Sequence, residues 1–354
     1  MYVRQRGDLR GAPLRLRMEP PMGLFQYIAS RLGVYFFVLF IGISVTFFLP
    51  RFMPSDPIEN YISQLQNQAG QAMNPDDIAR LRTTLAELYG LEGSLFSQYV
   101  GYLKRVFLTF DFGPSFSSFP RPVTEFILQA LPWTLGLLLT TTTLAWLIGN
   151  TVGLLAGFFH NKRAATVLEV IGVTIYPIPY YILALIFILV LAYIFPLFPL
   201  STTIRPGPLT FEKIKNILYN SALPALTLIT AGFGWNILSM KSLSYATKQE
   251  PFVNFARLKG TPPRTMMVSY VFRNALLPQI TALALSMGSI FNGALLTEML
   301  FSYPGLGLLM RSAVGSGDYN MLYGTITMTI IAVATATLLI DLLYPLFDPR
   351  IRYR

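Results

Sequence analysis

The chain has 354 residues, 53% of them hydrophobic and only 12% charged, with a mean hydropathy of +0.52. Soluble domains carry about 25% charged residues, so this composition excludes a water-soluble globular protein and describes an integral membrane protein. The absence of cysteine excludes disulfides, thiolate metal sites and cysteine nucleophiles. The single histidine, His160, excludes a histidine-based metal cluster, and the net charge of +10 is spread as membrane orientation requires rather than as a nucleic-acid patch.

In chain order, residues 1–21 carry Arg4, Arg6, Arg10, Arg15 and Arg17 among prolines and glycines. They lack both helical apolar periodicity and a small-residue cleavage site, so the expectation is a flexible basic extension or a mis-assigned start, not a cleaved signal peptide. Six apolar segments then reach the ~20 residues that cross a ~30 Å hydrocarbon core. They run approximately Leu32–Leu49, Leu131–Phe159, Val167–Phe195, Leu223–Met240, Leu276–Leu300 and Leu322–Leu346. The third is interrupted by Pro177 and Pro179, which predicts a kink that faces protein. With the N-terminus inside, seventeen of the 27 Lys and Arg are cytoplasmic and four lie in short external segments. The remaining six sit in the long 51–130 loop, which crosses regardless of charge. Both termini are therefore expected inside, with an all-α, six-span polytopic fold.

The external loop is long enough to be ordered. Asn74-Pro75-Asp76-Asp77 reads as a helix N-cap with proline at the first position, running to about Tyr89 and ending at Gly90. A second helix after Ser94 would place Phe96, Val100, Leu103 and Phe107 on one face, to cover a domain core or lie on the membrane surface.

The most polar long segment, Glu250 to Pro278, lies between two spans. Phe252 to Leu258 is a short helix candidate, broken by Gly260 and then Thr261-Pro262-Pro263, where Pro262 or Pro263 can open a second helix that runs through Arg273. Arg257, Lys259 and Arg264 make the segment basic, while Phe252, Val253 and Phe255 are available for docking. A plain connection needs only a few residues, so this one reads as an interface.

Ala256-Arg257-Leu258-Lys259-Gly260 followed by Arg273-Asn274-Ala275-Leu276-Leu277-Pro278 resembles the coupling loop of ATP-binding-cassette (ABC) importer permeases of the dipeptide/oligopeptide branch. The family signature begins Glu-Ala-Ala where this chain has Asn254-Phe255-Ala256, so at that end only Ala256 and Gly260 match. The resemblance continues in Leu49-Pro50 with Asp56-Pro57, Leu88-Tyr89-Gly90-Leu91, Gln98-Tyr99, Asp111-Phe112-Gly113-Pro114-Ser115 and Arg121-Pro122-Val123. Beyond these come Leu131-Pro132-Trp133-Thr134-Leu135, Phe301 to Gly307, and Leu343 to Arg350, so it covers about Met22 to Arg352. It implies the type I ABC importer permease fold in a prokaryotic inner membrane: a basic extension (1–21), a first helix with its external loop (22–129), a five-helix core (130–348) and a cytoplasmic tail (349–354). Within that core, loop 241–275 would couple to an ATPase through Glu250, Phe252, Val253, Phe255, Ala256, Arg257, Lys259, Gly260 and Arg264. The implied partners are a second homologous permease, two cytoplasmic ATPase subunits that carry ATP and Mg, an external solute-binding protein and membrane lipid. No cofactor is expected on this chain.

No stretch reads as an active site: there is no phosphate-binding loop G-x-x-x-x-G-K-[ST] and no nucleophile beside a base. Glu169, Glu298 and Asp341 are the carboxylates within apolar segments, each within about two turns of an interface and more readily structural than substrate-binding. Of the three, Glu298 is the best candidate for solute contact. With Ser286, Ser289, Asn292 and Thr297 it could line a translocation path, or the same residues could serve helix packing. Two other classes remain at this level: an autonomous secondary transporter or channel, which lacks mid-span charges for ion coupling, and a membrane enzyme, which lacks a catalytic constellation. Peptides, oligosaccharides and nickel are all carried within the family, and no residue here names the solute.

Overall fold

The computed structural model describes residues 24–52, 57–69, 74–88, 93–204, 208, 210–288 and 291–347, and the described residues are helical with no strand. The expectations for residues 1–21 and 349–354, for Tyr89-Gly90-Leu91 and for Ser289 lie outside them.

Helix α1 (Leu24–Phe48) runs beside α14 (Tyr319–Phe347). Tyr35 and Thr335 share a hydroxyl hydrogen bond of 3.1 Å, Tyr27 donates to the Asp341 carbonyl at 2.7 Å, and Arg31 pairs with the Asp341 carboxylate at 3.2 Å. Asp341, expected near an interface, is thus an ion-pair partner.

The centre of the fold is the pair α5 (Val123–Phe158) and α8 (Phe211–Lys248). Inside a membrane, lipid is as apolar as leucine, so helices associate by close backbone packing more than by a hydrophobic drive. Gly149, Gly153 and Gly157 repeat every fourth residue on α5 and supply that approach. A Cβ on Gly153 would stand 2.6 Å from the Ile237 carbonyl oxygen of α8, and one on Gly157 would stand 2.7 Å from the Ser244 Cβ. The Ser244 hydroxyl closes the contact by donating to the Leu154 carbonyl at 3.3 Å. At ~1.5 Å per residue, helices of 36 and 38 residues exceed the ~30 Å core and project beyond it. The predicted fourth span ends at Met240, yet the helix continues to Lys248 because this glycine-lined contact continues.

The third predicted segment is broken near its prolines into two helices. Helices α6 (Arg163–Ile175) and α7 (Tyr180–Phe187), the latter continued by a π-helical stretch to Ile194, meet at 103°. Pro179 caps α7 and its carbonyl accepts from Ile182 and Leu183, so the chain restarts rather than bends. Helix α6 leans on α8, where a Cβ on Gly234 would lie 2.9 Å from the Gly172 carbonyl oxygen and Glu169 is paired with Lys241. The fifth predicted span is described as two helices, α11 (Arg273–Gly288) and α12 (Phe291–Phe301). Among the described residues, four helices are long and apolar enough to cross a membrane, or five if α6 and α7 form one span.

The 51–130 segment holds α2 (Pro57–Ala69), α3 (Pro75–Leu88) and α4 (Leu95–Lys104). Helix α2 was not anticipated; α3 begins at the expected proline, with the Asn74 side chain accepting from the Asp76 amide at 3.3 Å. In α4, Ser94 is the expected N-cap, but the buried face differs from the predicted stripe. Leu103 of the stripe packs against the core, but Phe96 is 75% exposed, and Tyr102 and Val106 join Leu103 at the core. Tyr102 reaches Thr327 of α14 at 2.9 Å. Asp318, fully buried, pins the Asp111–Ser118 segment to the start of α14. Its carboxylate accepts from the hydroxyls of Ser115 and Ser117 and from the amides of Ser117 and Met321. Burial and this nearby charge raise the Tyr61 hydroxyl above its ordinary pKa.

Candidate functional site

Helix α9 (Pro251–Leu258) leaves the end of α8 at a sharp corner. Glu250, exposed, is its N-cap residue: its carbonyl accepts from the Val253 and Asn254 amides, and Pro251 sits at the first helical position, where its missing N–H costs nothing. The far end is a Schellman motif. The Gly260 amide donates to the Arg257 carbonyl at 3.0 Å and the Thr261 amide to the Ala256 carbonyl at 3.1 Å. Gly260 has φ +76°, the left-handed conformation that the motif needs, and open space where a Cβ would be. Of the two reasons for this glycine, a positive φ and a close approach, only the first applies.

The helix has two faces. Val253 (0% exposed) and Ala256 pack against Leu154, Phe158, Met240, Met266, Val271 and Ala275, which anchors α9 to α5, α8 and the start of α11. Phe252, Phe255 (59% exposed) and Leu258 (86% exposed) point away from the chain. Arg257 and Lys259 are exposed beside them, and the Lys259 ammonium stands 4.7 Å over the Phe255 ring. Val253, expected in the docking set, is instead an anchor, because helical spacing puts it a third of a turn from Phe252. Leu258 shares the exposed apolar face and was passed over. Pro262 caps α10 (Pro263–Thr265), Pro263 is its first residue, and Arg264 on it is exposed. The helix continues through a π stretch at 266–272 into α11.

The polar residues assigned to a path are not gathered in one place. Ser286 is exposed and donates to the Leu283 carbonyl of its own helix at 2.8 Å. Ser289 and the Asn292 side chain lie outside the described residues. Thr297 and Glu298 are 0% exposed, so Glu298 does not reach water as its place near a span end suggested. The Glu298 carboxylate accepts from the Gly307 amide at 2.7 Å and lies beside the Thr134 hydroxyl, which itself accepts from the Leu306 amide at 2.9 Å. Its backbone carbonyl accepts from the Tyr303 amide at 2.8 Å. Gly305 and Gly307 leave room for this: a Cβ on the first would overlap the Glu298 carboxylate and one on the second the Leu295 carbonyl. Phe301 to Gly307 is therefore a turn folded around Glu298, leading into α13 (Leu306–Ser316).

That turn forms the lip of a cavity of about 740 Å³ lined by Gln129, Trp133, Lys213, Pro304, Gly305 and Ser312. None of Ser286, Thr297 and Glu298 lines it. It opens at the first turns of α5 and α8, whereas α9 is attached to their last turns, so the cavity and the two-faced helix occupy opposite ends of the bundle. Sequence reading also missed a polar tie between them. The Trp146 indole donates to the Gln279 carbonyl at 2.9 Å, and the Gln279 amide donates to the Ser239 hydroxyl at 2.7 Å, linking α5, α11 and α8. A buried glutamine just after Leu277-Pro278, and the four-residue glycine repeat of α5, were the available signals.

Two family models match. Residues 149–353 fit the binding-protein-dependent transport system inner membrane component, and residues 24–138 fit the N-terminal region of the same membrane component. The dipeptide transport system permease protein of Bacillus subtilis (strain 168) is 27% identical over 330 residues, covering 92% of this chain and 98% of that protein. The oligopeptide transport system permease protein of the same organism is 29% identical over 321 residues, covering 89% and 96%. The dipeptide permease protein of Escherichia coli (strain K12) is 29% identical over 352 residues, covering 94% and 100%. With a two-faced helix at one end of a glycine-packed bundle, a cavity at the other and family matches over most of its length, this chain belongs to the binding-protein-dependent inner-membrane transport components, as a permease subunit of the ABC dipeptide/oligopeptide importer family.

Proposed function

We propose that the chain forms one half of a peptide translocation pathway, six-spanning with both termini cytoplasmic, and pairs with a second homologous permease. Two separate ATPase subunits bind and hydrolyse ATP with Mg, and an external binding protein delivers the solute. The names of the similar permeases favour peptides over oligosaccharides or metal complexes. The observation that carries this reading is the division of α9 into an anchored face and an exposed apolar face. A helix clamped to α5, α8 and α11 by Val253 and Ala256, yet offering Phe252, Phe255 and Leu258 outward, passes the movement of a docked ATPase to the spans as a rigid body. Alternating access then needs only a rocking of the bundle about the Trp146–Gln279–Ser239 tie, so that the cavity end and the α9 end open in turn.

Phe255→Asp puts an unpaired charge into an apolar contact and releases the ATPase subunits, while the permease still inserts and folds. ATPase retention on the purified complex and uptake into vesicles read this out. Wild-type uptake by Phe255→Asp would remove α9 as the coupling element.

A further inference from the structure

A second cavity, of about 660 Å³, lies along one side of α9, between Val253, Asn254 and Arg257 and the last turns of α5 and α8. Lys248 and Arg257 both line it, and no aspartate or glutamate does. Neither cation has an ion-pair partner among the described residues. Lys248 is held in place, donating to the Phe158 carbonyl and standing 4.8 Å over the Phe158 ring. His160 lines the same wall with its ring 4.7 Å from that of Tyr245, and its buried Nδ1 has no hydrogen-bond partner. Two like charges lining one cavity repel, and an anion between them relieves that repulsion. Phe158 and Lys248 stand in the last turns of α5 and α8, so the cavity lies between the ends of two helices long and apolar enough to cross a membrane. Basic pockets between span ends suit anionic headgroups.

We propose that this cavity binds a phosphate group, with Lys248 and Arg257 as its cationic ligands and the His160 ring Nδ1 as a further hydrogen-bond donor. Bound there, the phosphate ties the end of α8 to α9 and braces the docking helix from one side. The phosphate comes from an anionic lipid of the adjacent leaflet or from free phosphate in solution, and the two sources separate experimentally.

The complex is reconstituted in phosphatidylcholine with and without phosphatidylglycerol, re-extracted, and its retained lipid measured by native mass spectrometry. Binding of inorganic phosphate is followed in parallel by phosphorus NMR line broadening. Wild type is expected to retain phosphatidylglycerol. Lys248→Met lowers retention about fivefold, the value of one basic residue at an anionic surface, and Lys248→Arg restores it. His160→Ala weakens retention in the same direction. Retention unaffected by inorganic phosphate assigns the lipid source; line broadening with no retained lipid assigns free phosphate. Equal retention by wild type, Lys248→Met and His160→Ala, or binding of neither probe, overturns the proposal. Loss of ATPase subunits from Lys248→Met with unchanged anion binding gives the cavity to a protein partner and overturns it as well. Lipid retention is read without transport, so its outcome is independent of whether the importer mechanism holds.

Discussion

At the scale of single residues, two glycines illustrate different physical demands. Gly260 stands at φ +76° with nothing near its Cβ position, so the cost of a side chain is backbone strain alone. Gly260→Val is expected to cost about 1–2 kcal/mol and to misplace α9, lowering coupling of ATP hydrolysis to uptake while leaving insertion intact. Gly260→Asn, which tolerates the left-handed region, should retain more coupling; equal loss in both variants would show that strain is not the cause. Gly305 has φ −101°, which any residue adopts, and its constraint is the Glu298 carboxylate lying where a Cβ would be. Gly305→Ala should destabilise by about 1–3 kcal/mol through overpacking. Glu298→Ala should cost a similar ~1–3 kcal/mol by stranding the buried Gly307 amide. The double variant removes the overlap, so its thermal unfolding in detergent should show a loss smaller than the sum. Strict additivity would mean that the turn is not folded around Glu298.

At the scale of elements, the faces of α9 and the seam between α5 and α8 give opposite expectations for superficially similar changes. Val253→Asp buries an unpaired charge among Leu154, Met240 and Met266 and should prevent stable folding of the permease itself. Phe255→Asp, two residues along and exposed, should release only the ATPase. Size-exclusion profiles of the two variants check this: a monodisperse Val253→Asp permease would contradict the anchored face. Along the seam, Gly153→Val must push against the Ile237 backbone, which cannot move aside as a flexible side chain would. It should cost about 1–3 kcal/mol or more and lower the melting temperature, whereas Gly136→Val on the same helix, with nothing within 4 Å, should be nearly silent.

At the scale of the whole molecule, the absence of cysteine makes topology directly testable. A single Lys162→Cys should be labelled only from the cytoplasmic side and a single Gly70→Cys only from outside. Labelling of Lys162→Cys from outside would sink the six-span arrangement. The 103° junction of α6 and α7 makes the Lys162 result informative about the third segment in particular.

The sequence by itself determined the class and several helix starts and stops, because these follow from short-range rules. Apolar length sets spans, Asn74-Pro75 and Ser94 start helices, and Gly260 before Pro262-Pro263 ends one, whatever surrounds them. It also marked the 250–278 loop as a candidate interface, since its polarity and length exceed what a connection needs. Which side of α9 faces out was decided only by packing: Val253 and Phe255 are both apolar, and the pocket formed by Leu154, Phe158, Met240 and Met266 selects the former. The role of Glu298 was likewise hidden. A carboxylate near a span end reads as water-accessible until a turn nine residues on brings the Gly307 amide onto it. The path residues were chosen from one apolar segment, but the large cavity draws on Gln129, Lys213 and Ser312, which are far apart in sequence and adjacent only in the fold. Local chemistry is written along the chain, while burial is a property of neighbours, and those are set by the glycine-lined contact of α5 with α8.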